Sequence, residues 1–378
     1  MTTYKEAGVD IDLANKAVVK IKDLVKGTFN DNTLTDIGGF GGCYLFPKDR
    51  YENPVLVSSS DGVGTKLKIA FLSGTHNTIG QCLVNHCTND ILAVGARPLF
   101  FLDYFATGKL SVDTVEQVVE GLALACKENS TVLIGGETAE MPDFYQEGEY
   151  DISGTIIGVV DKKFMMPMRK TNKGDLLIGL PSTGLHTNGY SLARKVLLEK
   201  YHVDRYFEEL DMTLAESLLS IHKSYLPTLD SILEKDWLHG ISHITGGGMV
   251  ENTHRVIEKG QDIEVNWDSW EWPEIFNMIQ KNGEVPTEDM RRSFNLGMGL
   301  VVIIDPSALD ELTDHLSSLN EDILRTLFRN NFFSIKLKKK KIKSLSDILF
   351  ALTGSIDGIS GKKINHIKQF IKKNQIEY

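Results

Sequence analysis

Residues 55–66 read Val-Leu-Val-Ser-Ser-Ser-Asp-Gly-Val-Gly-Thr-Lys, an apolar run that breaks into a turn bearing Asp61, Gly62, Gly64, Thr65 and Lys66. Glycines let backbone N–H groups close on an anion, while a threonine hydroxyl and a lysine ammonium can hydrogen-bond phosphate oxygens. An aspartate at a strand end is a natural hard-oxygen ligand for Mg2+. The spacing is not that of a Walker A loop, and the chain contains no Gly-x-Gly-x-x-Gly dinucleotide fingerprint. A plain glycine-rich turn carries the same residues, so the segment alone does not fix a phosphate site.

Other acids occupy what read as strand ends or loops: Asp90 after Asn89 at the opening of an apolar run, Asp103 inside LFFLDYFA, and Glu137 and Glu140 after an expected Gly135-Gly136 turn. An acid within the apolar run around Asp103 is costly to bury unless it is paired or metal-bound. Singly, each suits a cap, a turn or an ion pair; together they point to a site for Mg2+ and polyphosphate. A second group of segments follows. Ser182-Thr-Gly-Leu-His-Thr-Asn-Gly-Tyr190 lies between an expected strand and helix and offers hydroxyls, glycines and a helix N-terminus to an anion. Its His186 reads either as an exposed residue of a capping loop or as a group that positions a phosphate or moves a proton near neutral pH. In His243-Ile-Thr-Gly-Gly-Gly248 three glycines permit close approach to a ligand and equally suit a turn. The groups Trp267, Trp270, Trp272 and Met165, Met166, Met168 read as packing.

The elements that must position these residues are short apolar runs and amphipathic stretches. Strands are expected over 55–59, 99–105, 131–134 and 155–160, with helices over 12–26 and from Val112 to Cys126, the latter capped by Ser111. The pattern lapses at 161–174, KKFMMPMRKTNKG, which is where the domain boundary is placed. Beyond it strands are expected over 176–180, 263–267 and 299–305, with helices over 188–200 and 308–319. This alternation predicts an α+β protein of two α/β-type domains, 1–165 and 170–335, followed by a tail, 336–378.

The 378 residues have the length for two or three domains, and 42% hydrophobic with 24% charged residues is globular composition. The net charge of −10 argues against a nucleic-acid binder. It conceals an asymmetry, because residues 336–378 hold 11 Lys against 3 acids. No apolar stretch approaches the roughly 20 residues that span a bilayer, so no membrane partner is expected. Four scattered cysteines without metal-ligand spacing fit a reducing compartment, which predicts a cytoplasmic location.

The motifs YKEAGVDID, IGGFGG, SDGVGTK, NDILAVGARPLFFLDYFATGKL, GGETAEMP, STGLHTNGYSLARK, HITGGG, SWEWPEIFN and RSFNLGMGLVV run in order from Tyr4 to about Leu319. In these the chain resembles the phosphoribosylformylglycinamidine cyclo-ligase (aminoimidazole ribonucleotide synthetase) family. The resemblance implies ATP-dependent ring closure of formylglycinamidine ribonucleotide in purine biosynthesis. It also implies a homodimer whose N-terminal sheets meet in a shared barrel, with ATP and Mg2+ as cofactors and K+ as a candidate further ion. Carried onto this sequence, Asp61, Asp90 and Glu137 would hold Mg2+. Gly62, Gly64, Thr65 and Lys66 would line the phosphates, and Lys22 would lie near ATP. His186, with Lys66 and Asp61, would serve the chemistry, while Asn188, Gly246, Gly247 and Gly248 would contact substrate or nucleotide.

Three places depart from the family pattern. Leu185 stands where proline is more usual, Asn85-His86 precede Cys-Thr-Asn-Asp where valine usually precedes Asn-Asp, and the chain after Asn320 runs into the lysine-rich tail in place of a closing strand. Competing functions are another ATP-dependent member of the superfamily, of the selenophosphate synthetase, thiamine-monophosphate kinase or formylglycinamidine synthetase type, and a non-catalytic dimeric binding module. A reactive cysteine in a mobile N-terminal loop would favour the selenophosphate enzyme, and only Cys43 is nearby. Asp61, Asp90, Lys66 and His186 argue against the module.

Overall fold

The computed structural model describes residues 3–4 and 6–319, so the tail 336–378 and the segment expected to replace the closing strand lie outside the described residues. Packing gathers the residues up to 263 and those from 272 to 312 into one unit. A second unit includes residues 264–271 and 313–319. In it the rings of Trp267 and Trp270 lie 5.6 Å apart.

The first half of the large unit begins with helix α1 (Ile11–Lys26), capped by the Asp10 carboxylate, which accepts from Leu13 N at 3.2 Å. It continues through β1 (Pro54–Gly62), α2 (Leu67–Ser73), α3 (Asn77–Leu92), β2 (Arg97–Thr107), α4 (Val112–Glu128), β3 (Val132–Glu140) and β4 (Tyr150–Asp161). Its four strands form one sheet in the order β1-β4-β2-β3, with β2 and β3 parallel and the other pairs antiparallel. The second half contains β5 (Leu176–Pro181), α5 (Tyr190–Leu198), a short ribbon of β6 (Tyr206–Phe207) and β7 (Met212–Thr213), α6 (Leu214–Leu218) and α7 (Leu226–Leu229). It ends with β8 (Leu238–His243), α8 (Gly248–His254), α9 (Glu274–Gly283), α10 (Thr287–Ser293), β9 (Met298–Ile304) and the start of α11 (Leu309–Leu319), whose residues from 313 on fall in the second unit. Here β9 is the centre of an antiparallel sheet, β5-β9-β8, and every one of its residues is buried, which explains its unbroken apolar sequence.

Helix α3 carries several of the buried polar side chains. It is buried along most of its length, and against α4 it packs through reciprocal glycines: a Cβ on Gly80 would strike the carbonyl of Val118, and one on Gly121 the carbonyl of Asn77. Such close approach brings the buried polar residues Asn85, His86 and Asn89 into the interior, where each must find a partner. Asn85 Nδ2 donates to His222 O at 2.8 Å, and Asn89 Nδ2 donates to Lys223 O at 2.8 Å. The polar side of α3 is therefore a hydrogen-bonded seam with the 220–223 segment.

Three expectations are corrected. Gly135-Gly136 is not a turn but the interior of β3, where Gly136 faces Asp103 across the ladder; a Cβ there would overlap the Asp103 carboxylate, so only glycine fits. Asp90 lies in the last turn of α3 and not at a strand end. Residues 263–267 alternate like a strand but form none, because among the described residues no neighbouring strand offers them a ladder. No described helix is long and apolar enough to cross a membrane.

Candidate functional site

Asp61 is the penultimate residue of β1, and its Oδ1 accepts from Gly62 N at 2.7 Å. Its Oδ2 lies 2.9 Å from His86 Nε2 on α3. One turn further along the same helix, Asp90 Oδ2 accepts from Ser59 Oγ at 2.9 Å and lies 3.9 Å from His86 Nε2. Its Oδ1 meets His243 Nδ1, at the end of β8, at 2.8 Å. The two acids are thus joined through two imidazoles to opposite halves of the large unit.

Behind them the contacts continue. His86 Nδ1 meets the Thr187 hydroxyl, which lies 3.3 Å from His222 Nδ1, and His222 Nε2 is 3.2 Å from His243 Nε2. Asn89 fixes the proton positions. Its Oδ1 accepts from Tyr225 N at 3.0 Å, so its Nδ2 faces His222 Nε2 at 3.1 Å as a donor. His222 then carries its proton on Nδ1 and passes a donor to Thr187, whose hydroxyl donates to His86, whose Nε2–H donates to Asp61.

Burial alone would raise the Asp61 and Asp90 carboxyls. The hydrogen bonds from His86 to Asp61 and from His243 to Asp90 outweigh it and hold both below the ordinary aspartate range. Burial pushes His186 and His222 well below the usual histidine range, and the neighbouring imidazoles add to the effect. His186 is 1% exposed, with its ring stacked 4.0 Å from that of His222 and its Nε2 accepting from Thr183 N at 3.3 Å. The reading of His186 as an exposed residue of a capping loop is overturned, and desolvation disfavours the charged form of this ring.

Lys66 is also placed differently from the expectation. It is fully buried, and its ammonium donates to Cys82 Sγ at 3.0 Å, His186 O at 3.0 Å and Ser220 O at 2.7 Å. All three N–H groups are spent inside the protein, so none is left for a phosphate. Gly64 and Thr65, in contrast, line a cleft of ≈ 480 Å³ together with Asn188, Gly189 and Ser191 at the start of α5. Thr65 Oγ1 and Ser191 Oγ are 3.2 Å apart across it, and Gly246 sits beside the Asn188 side-chain oxygen. Gly62 stays in β1 against the Ile152 carbonyl, while Gly247 and Gly248 hold the positive φ values that turn β8 into α8.

Two expected residues stand apart. Lys22 lies on α1 beside Asp36, at 3.7 Å, near the IGGFGG loop. Glu137 pairs with Tyr104, whereas Asp61 shares its row of the sheet with Gly154, Asp103 and Gly136, so alternation sends Glu137 to the opposite face from Asp61. The sequence reading missed His86, Thr187 and His222 and gave His243 no role. One signal was present: His86 and Asp90 are spaced i, i+4 and therefore share a helix face.

The four-stranded sheet and the smaller antiparallel one, with glycine turns from both halves meeting at one cleft, belong to a protein of the AIR synthase related class. Residues 44–160 match its N-terminal domain and residues 172–324 its C-terminal domain. The chain is 48% identical over 320 residues to the phosphoribosylformylglycinamidine cyclo-ligase of Thermoanaerobacter sp. (strain X514), covering 84% of this chain and 94% of that one. It is 48% identical over 322 residues to the enzyme of the same name from Syntrophotalea carbinolica, covering 85% and 92%. The chain belongs to the phosphoribosylformylglycinamidine cyclo-ligase family. Among solved structures, thiamine-monophosphate kinase from Stenotrophomonas maltophilia K279a shares the fold at TM-score 0.56 and 17% identity over 80% of this chain and 90% of that one. The E. coli hydrogenase maturation protein HypE does so at 0.52 and 14% over 81% and 86%.

Proposed function

We propose that this chain closes the imidazole ring of formylglycinamidine ribonucleotide, giving aminoimidazole ribonucleotide, ADP and phosphate, in de novo purine biosynthesis. The observation that carries the reading is 48% identity across 94% of the length of a named cyclo-ligase. The likeness to thiamine-monophosphate kinase is one of fold alone and favours no second activity.

Oxide is a very poor leaving group. Transfer of the ATP γ-phosphoryl group to the formyl oxygen converts it into a good one, the amidine nitrogen attacks the formyl carbon, and the C–O bond breaks with loss of phosphate. The protein's work is then positioning and compensation of phosphoryl charge. Gly62, Gly64 and Thr65 approach the phosphates, and Asn188 with the Gly246–Gly248 turn orients the ribonucleotide across the same cleft. Lys66 and His186 hold that cleft together from behind, and Lys22 acts from α1 on the nucleotide. Asp61 and Asp90 offer the carboxylates that Mg2+ takes alongside phosphate oxygens, and Asp61, 46% exposed at its side chain, is open to a phosphate-bound ion. Bound there, Mg2+ would neutralise charge on the β- and γ-phosphates. K+ completes the proposed set; Glu137, on the other face of the sheet, is not placed to share an ion with Asp61 and Asp90.

That face supports a homodimer. Leu56 and Tyr104 on it are 64% and 41% exposed, and β1 and β3 leave two open edges. Two such sheets closing into a shared barrel would cover the apolar face and remove the edges. Sedimentation at micromolar concentration should give a dimer; a species of 42.2 kDa alone would contradict it. Four free cysteines support a reducing, cytoplasmic setting. The activity itself is tested by incubating the protein with ATP, Mg2+ and, in parallel, formylglycinamidine ribonucleotide, thiamine monophosphate and selenide. Imidazole formation with the first alone is expected, and turnover of either other substrate in its place would overturn the reading.

A further inference from the structure

Thr187 belongs to two structures at once. It lines the cleft beside Asn188, Gly64 and Thr65. Its hydroxyl is buried between two imidazoles, against His86 Nδ1 and 3.3 Å from His222 Nδ1. A hydroxyl has one proton, so it donates to one of these rings and must accept from the other.

Asn89 sets the direction. Tyr225 N donates to Asn89 Oδ1 at 3.0 Å, which leaves Nδ2 to donate to Lys223 O at 2.8 Å and to His222 Nε2 at 3.1 Å. His222 therefore donates from Nδ1 to Thr187, and Thr187 donates to His86 Nδ1. The His86 proton lies on Nε2, 2.9 Å from Asp61 Oδ2 and 3.9 Å from Asp90 Oδ2, so Asp61 receives it. With Gly62 N at 2.7 Å from Oδ1, the Asp61 carboxylate is held at both oxygens. Gly62 is the next residue of the same strand and moves with Asp61. The hold from outside β1 is His86, and the far side of that ring is fixed by the Thr187 hydroxyl.

We propose that Thr187 is a positioning residue of the ring closure. By donating to His86 it orients the ring that aims the Asp61 carboxylate, and it ties that aim to the loop carrying Asn188. The proposal rests on the reading that gives Asp61 a part in the reaction; the hydrogen-bond chain beneath it does not.

Two measurements on the full chain test it. In nucleotide-free protein labelled with 15N-histidine, long-range 1H–15N correlation gives the tautomer of each ring, and His86→Gln and His222→Gln identify the signals. His222 should be the Nδ1–H tautomer and His86 the Nε2–H tautomer. Turnover is then compared for Thr187→Val, which keeps the shape and removes the hydroxyl, and Thr187→Ser, which keeps the hydroxyl. Thr187→Val should lower kcat roughly tenfold to 100-fold, the usual effect of losing the partner that orients an active-site ligand, and Thr187→Ser should restore most of it. Added to Asp61→Asn or to His86→Gln, Thr187→Val should cost less than about twofold more, because the hydroxyl acts through those two residues. Thr187→Ala takes its place should Thr187→Val not fold. An Nε2–H tautomer of His222, undiminished kcat without the hydroxyl, or double variants whose losses are the product of the single ones would overturn the proposal. Absence of wild-type turnover would contradict the proposed reaction instead, and the tautomers would then decide the hydrogen-bond chain alone.

Discussion

Lys66 Nζ lies 3.0 Å from the carbonyl oxygen of His186, so the residue that ends the SDGVGTK turn is hydrogen-bonded to the centre of the STGLHTNGY loop. Burial alone would lower the pKa of this ammonium. The Cys82 sulfur and the Tyr190 ring beside it reverse the direction and keep it charged. Lys66→Met removes the donor from two buried carbonyls, a loss of about 2–5 kcal/mol. Urea unfolding should show that loss. In the folded fraction kcat should fall as the cleft loosens, without the selective rise in the KM for ATP that a lost phosphate contact would give.

Asp61 is the acid at which metal and phosphate charge would meet. Asp61→Asn is expected to cut turnover at least ~100-fold while leaving the circular dichroism spectrum and unfolding midpoint near wild type, since a hard-cation ligand loses its charge and the transition state its compensation. Near-normal turnover of this variant at limiting Mg2+ would remove Asp61 from the ligand set.

Asp103 provides a pH test. Burial pushes its carboxyl up to about 7; a hydrogen bond from its own backbone pulls against this, and the Glu137 charge adds to the rise. A folded-state value above the unfolded one means that the native protein holds a proton the unfolded chain releases. Stability is therefore full below about pH 4 and declines as pH rises to about 7. Asp103→Asn should be more stable than wild type at pH 8 by on the order of 2 kcal/mol and should lose that advantage at low pH. Equal stability differences at pH 4 and pH 8 would show that Asp103 is not the titrating group.

Elements with strong local signals were legible in the sequence. Ser111 caps α4 through Thr114 N, α1 begins within a residue of its expected start, and the apolar run at the end of the chain's second half is β9. Segments whose structure depends on distant partners were not. Gly135-Gly136 read as a turn because nothing local reveals that Asp103 on another strand needs the space of a missing side chain. The SDGVGTK segment was legible as a glycine turn, and Gly64 and Thr65 do line a cleft, but its lysine reads as a phosphate ligand until Cys82, Ser220 and His186 are seen around it. The histidines come from four separate segments, and only the fold brings His86, His222 and His243 into one hydrogen-bonded group with His186 stacked on His222.

The lysine-rich residues 336–378 contain none of the proposed site residues, and the match to the family's C-terminal domain stops at residue 324. Deleting them should preserve turnover per folded molecule within about tenfold, equivalent to ~1.4 kcal/mol of barrier. Steady-state kinetics on the truncated enzyme, normalised to folded protein, check this; a larger loss would place the tail in the active machinery.

The central claim is that the formyl oxygen leaves as phosphate. Formylglycinamidine ribonucleotide carrying 18O in the formyl group, turned over with ATP, tests it by mass spectrometry of the products. The account predicts one ADP per imidazole ring formed and the label in inorganic phosphate. Ring closure that releases the label as water, or that proceeds without ADP formation, would contradict it.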